Sequence, residues 1–203
     1  MKKTLLIILL LIFSVNLFSQ NFKIPKIDWE GKTETENIYA NLLKLKDRNS
    51  LIVKIGYSTS FAEGQSSEFI VYQNDGSVKR FVAYNLHSTE FKTKIKRKRI
   101  KKKEHKYYWK YLNNCIKEKK YKIEKNKLNI TKKKGEEKGK ATLTTMYISH
   151  TVNYHFWIVQ GENYIAYGST SPKAYIDSKF PGYEERQKLV DLINGFEKLI
   201  EKY

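Results

Sequence analysis

Asn74-Asp75-Gly76 separates two β-prone segments, Glu68–Tyr72 and Val78–Tyr84. Asp-Gly accepts the positive φ angles that a tight reversal needs, so these segments are expected to form a hairpin. A second hairpin is expected where Gly161-Glu162-Asn163 turns Val152–Gln160 into Tyr164–Gly168. Upstream, Leu51–Ser60 is alternating and β-branched enough for a further strand. Hairpins imply an antiparallel sheet. A sheet whose strands carry Phe, Tyr, Ile and Val needs something packed against its apolar face.

Helical periodicity supplies the cover. Thr33 followed by Glu36 has the capping-box pattern, and Ile38, Leu42 and Leu45 recur at helical spacing, predicting a helix over 34–48. Glu104–Ile116 reads as a second helix through Tyr108, Trp109, Leu112, Cys115 and Ile116. After Pro181-Gly182 a third begins, with Glu184 and Glu185 near its positive end and Leu189, Ile193, Phe196 and Ile200 along one stripe. Phe91, Thr93 and Ile95 alternate with lysines and suggest one more strand. Leu143, Thr145 and Tyr147 share one face of a strand over 141–149. Lys132–Lys140 holds only Lys, Gly and Glu and reads as a loop. The order is roughly α-βββ-α-βββ-α, an α+β fold with an antiparallel sheet in one domain over 20–203.

Charge is distributed unevenly. The chain of 203 residues has a formal charge of +18, and the excess is concentrated in residues 92–140, with 22 basic against five acidic side chains. Residues 20–91 carry nine of each sign. The densest run is Lys92–Lys103, where nine of twelve residues are Lys or Arg. Composition bias toward lysine would not leave the flanks neutral. Two readings follow. The run is either a solvated strand edge and helix face whose lysines discourage edge-to-edge pairing, or a surface for anionic polymers or membranes. On the second reading Lys94, Lys96, Arg97, Lys98, Arg99, Lys101, Lys102 and Lys103 carry the binding. Lysine predominates over arginine, which favours diffuse attraction over bidentate recognition.

Residues 1–19 have the layout of a secretory signal peptide: Lys2 and Lys3, the apolar run Leu5–Phe13, then a more polar stretch ending in small residues. The apolar run is shorter than the about 20 residues needed to span a bilayer. The ending Leu17-Phe18-Ser19-Gln20 is similar to export signals of Gram-negative bacteria, implying a periplasmic or secreted protein with no transmembrane segment in its mature chain. Cys115 is the only cysteine. It excludes an intrachain disulfide and lies far from the cleavage region where lipidation would require it.

Motifs for catalysis are sparse. The four histidines are His87, His105, His150 and His155, without a third ligand at metal-binding spacing, so neither a metal nor a cofactor is expected. No Gly-x-Ser-x-Gly elbow, phosphate-binding glycine loop or nucleotide fingerprint occurs. An enzyme using His150 or His155 would need the imidazoles to converge with a carboxylate. Trp157 shares strand parity with Asn153 and His155 while Phe156 takes the apolar side. An exposed Trp157 beside His155 and Asn153 would suit a protein partner, whereas a covered one belongs to the core. A non-catalytic binding protein is therefore expected, with the aromatic C-terminal hairpins as the alternative interaction surface.

Overall fold

The computed structural model describes residues 22–32, 38–59, 66–85, 92–149 and 151–203. The segment 1–19 read as a signal peptide, Thr33, Glu36, His87 and His150 lie outside the described residues. Along the chain, β1 (Gly31–Lys32) is followed by α1 (Ile38–Leu42), β2 (Leu51–Thr59), β3 (Ser66–Tyr72), β4 (Val78–Tyr84) and β5 (Lys94–Lys98). A 3-10 turn at Lys102–Glu104 leads into α2 (His105–Lys117) and α3 (Lys125–Leu128). Then come β6 (Lys132–Glu137), β7 (Lys140–Thr145), β8 (Val152–Gln160), β9 (Asn163–Thr170), α4 (Pro172–Asp177) and α5 (Tyr183–Lys202).

Seven strands form one sheet in the order β1-β9-β8-β2-β3-β4-β5, with every pairing antiparallel. Both hairpins form as the turn chemistry predicts. Gly76 adopts φ 80° between β3 and β4, where Asp75 Oδ1 accepts the Ser77 N–H at 2.9 Å. Gln160 pairs with Asn163 across the Gly161-Glu162 turn. The α+β architecture is the one the alternation of periods implies.

Strand β2 is central, and its first six residues are buried on both faces. On one face Leu51, Val53 and Ile55 join Ile70, Tyr72, Phe156 and Ile158. Helices α2 and α5 cover them with Tyr108, Trp109, Leu112, Leu189, Ile193 and Phe196. On the other face Ile52, Phe69, Val71, Phe81 and Ala83 pack beneath Ala40 and Leu43. Lys54 interrupts this second face.

Three expectations are corrected. The strand expected over 141–149 ends at Thr145, where its pairing partner runs out at Lys132, and Tyr147 lies outside it. Helix α1 runs only over Ile38–Leu42, and its 33–37 approach lies outside the described residues. Lys44 turns left-handed at φ 51°, and the Leu45 N–H reaches back to the Ala40 carbonyl at 2.9 Å, closing the helix well before residue 48. The Lys132–Lys140 segment is no loop: Lys132–Glu137 pairs in register with Lys140–Thr145 as a separate two-stranded sheet. Lys138 and Gly139 both take positive φ, 50° and 75°, the requirement of a tight two-residue hairpin turn. Residues 132–136 are all exposed, so the apolar alternation that marks a half-buried strand is missing from them.

Candidate anion-binding groove

Strand β5 is the outer strand of the sheet, and the chain must turn back from it to place α2 over the apolar face. Glu104 builds that turn. Its buried carboxylate accepts the Lys101 N–H at 2.8 Å, while its own N–H donates to the Lys101 carbonyl at 2.8 Å. The turn folds the dense basic run around a groove of about 1030 Å³. One wall carries Arg97, Lys98 and Arg99 from the end of β5; the 3-10 turn and the start of α2 add Lys102, Lys103, His105 and Lys106. Lys79 enters from β4, and Phe22, Gly76, Val78 and Ile100 provide apolar surface.

The groove is strongly electropositive. Among its lining residues the one carboxylate is Asp75, held below its usual range by hydrogen bonds from Ser77 and so ionised at neutral pH. Burial holds the His105 imidazole below its ordinary value, which favours its neutral form. The lining is anchored from beneath: Trp109 Nε1 donates to the Gly76 carbonyl at 2.9 Å, and the Trp109 and Phe22 rings lie 5.7 Å apart. A Cβ at Gly76 would approach Phe22 Cδ2 to 2.5 Å, so the turn needs glycine for space as well as for conformation.

Of the eight residues singled out in the sequence, five line the groove: Arg97, Lys98, Arg99, Lys102 and Lys103. Lys94 and Lys96 stand exposed on β5, with Lys96 over the Tyr84 ring at 5.8 Å. Lys101 is exposed beside the Glu104 carboxylate, at 3.8 Å. Lys79, His105 and Lys106 were missed. Lys106 merely extends the basic run, and continuing to count along the chain would have found it. Lys79 has no local signal, because only the β4–β5 pairing brings it alongside.

Trp157, His155 and Asn153 lie along β8, opposite Lys54, Gly56 and Ser58 of β2. Trp157 is half-buried, edge-on to Tyr39 at 6.1 Å and tilted against Tyr164 at 6.0 Å. Its cover comes from α1, since α5 packs on the Phe156 side. His155 Nε2 lies 3.2 Å from Ser58 Oγ, and Asn153 Oδ1 accepts the Thr170 hydroxyl at 2.6 Å. Among the described residues no cluster of three or more His, Cys, Asp or Glu side chains is arranged to hold a metal. Cys115 is buried in the α2 interface, and burial pushes its thiol above the usual value, away from the reactive thiolate. The chain matches no known family model and no curated protein sequence.

Proposed function

We propose that this is an exported, non-catalytic binding protein that uses the groove between β5 and the start of α2 to hold an array of phosphate, sulfate or carboxylate groups. One observation carries the reading: seven Lys and Arg residues, from β4, β5 and its end, the 3-10 turn and α2, border one concavity with a single carboxylate. Edge protection alone asks for charges spread along β5. It gives no reason for basic residues of β4 and of α2 to border the same concavity. Concave cationic surfaces concentrate field and draw in anions, with an affinity that falls as salt rises. The layout of residues 1–19 supports export.

The test uses the chain from Gln20 onward, which contains every described element. Titrations with heparin and duplex DNA across a salt series distinguish sulfated polysaccharide from nucleic acid. Replacing Arg97, Lys98, Arg99 and Lys102 together with Glu should weaken binding by at least about a hundredfold, with far-UV dichroism unchanged. Unchanged affinity in that variant would sink the proposal.

A further inference from the structure

We propose that the β6–β7 hairpin is a membrane-contacting arm that docks on anionic lipid. The inference rests on the anion-binding reading above and names one source of those anions. The arm stands apart from the seven-stranded sheet as its own two-stranded sheet. Its base is fixed: the Met146 N–H donates to the Thr131 carbonyl at 3.3 Å. The buried Arg186 guanidinium also donates to the Ile130 carbonyl at 2.7 Å. Beyond that base the arm leaves Leu143 open, and Tyr147 stands open just outside the paired segment.

Leu143 is 57 % exposed and Tyr147 is 91 % exposed, two of the four large hydrophobic residues left open among the described residues. In the β6–β7 register Leu143 sits directly opposite Lys134, and Thr145 opposite Lys132. Cross-strand partners share a face, so leucine and lysines project together. Residues 132–147 contain five lysines against Glu136 and Glu137. This mixture matches an interface that is apolar just below a layer of phosphates. Leucine and tyrosine enter the headgroup–acyl boundary, while lysine stems lie along it and their ammonium groups stay at phosphate level. A hydrophilic polymer would satisfy the lysines and leave Leu143 in water. A second copy of this chain laid against that face would bring lysines together.

The experiment is co-sedimentation of the chain from Gln20 with vesicles of phosphatidylglycerol and phosphatidylethanolamine, against phosphatidylcholine as the neutral control. Omitting the leader keeps its apolar run from inserting. The protein should bind the anionic vesicles and not the neutral ones. Leu143→Asp combined with Tyr147→Ser should lower that binding roughly tenfold while heparin affinity stays the same. A Tyr147→Trp variant should gain fluorescence that vesicles with brominated chains quench. Absence of vesicle binding, vesicle binding indifferent to the double substitution, or a parallel fall in heparin affinity would each overturn the arm's assignment to lipid. Failure of the groove itself would appear elsewhere, as heparin binding indifferent to the four Glu substitutions.

Discussion

Lys54 sits in an environment that penalises its charge. It is 3 % exposed on the central strand, with Nζ 5.1 Å from the Tyr39 ring centre, 5.8 Å from that of Trp157, and 3.3 Å from the Tyr39 hydroxyl. Aromatic faces attract the cation, but desolvation dominates and lowers its pKa to about 8. The sign follows from proton counting. Between about 8 and the ordinary lysine value the unfolded chain holds more protons than the folded one, so this residue makes stability rise with pH there. Below that window the penalty is present in full. Lys54→Met should therefore stabilise the protein at neutral pH by about 1–3 kcal/mol, with the gain shrinking as pH is raised through the window. Urea denaturation of both proteins at several pH values checks this. A pH-independent difference would show that packing, and not charge, sets the effect. A lysine inside Leu51–Ser60 was legible in the sequence. Its burial was not, because the Tyr39 ring reaches it from another element.

Between elements, α5 packs closely on α2 at Gly195. Gly195 lies in the middle of α5, where glycine ordinarily costs helix stability of about 1 kcal/mol relative to alanine. Here a Cβ would collide with the Tyr111 hydroxyl and ring. Tyr111 in turn packs edge-on against Phe196 with ring centres 4.8 Å apart, so it has little room to withdraw. Overpacking outweighs the propensity gain, and Gly195→Ala should destabilise by about 1–3 kcal/mol in thermal or urea unfolding. An increase in stability would mean that the two helices can separate without cost. Both helices were legible as amphipathic stripes, since Leu112 and Ile116, and Leu189, Ile193 and Phe196, recur at the right spacing. Their mutual contact was not legible, because periodicity reports which face is buried but not against what. The β6 strand shows the opposite failure: with both faces in water it has no apolar period to read, and only the Lys138-Gly139 turn marks it.

For the molecule as a whole, the unifying element is β2, which pairs with β3 on one side and β8 on the other and contributes to both apolar clusters. Coupling through one strand should make the two faces unfold together. Phe69→Ala and Phe156→Ala, one on each face and both fully buried, should each cost about 3–5 kcal/mol. Near-UV and far-UV dichroism should give coincident single transitions in both variants. Separate transitions would show that the α1 side melts independently of the α2–α5 side. The same topology explains the charge map. After the outer strand β5 the chain crosses to the middle of the sheet at β8 by way of α2, α3 and the arm. Residues 92–140 therefore occupy the sheet edge and the solvent side of its cover, where lysines remain hydrated.

The sequence by itself determined the antiparallel hairpins, the amphipathic helices and the concentration of positive charge, because turn chemistry, side-chain periodicity and charge counts are local properties. It also determined that the basic run would be exposed, since so many cations cannot leave water without partners. Only the tertiary structure decided that five of those residues share a groove with Lys79 and Lys106. It alone put Lys54 between two aromatic rings and left Leu143 uncovered beside lysines. Those outcomes depend on strand register, on the Glu104 turn and on which helix crosses which strand. Such contacts join residues far apart in the chain, and no local pattern encodes them.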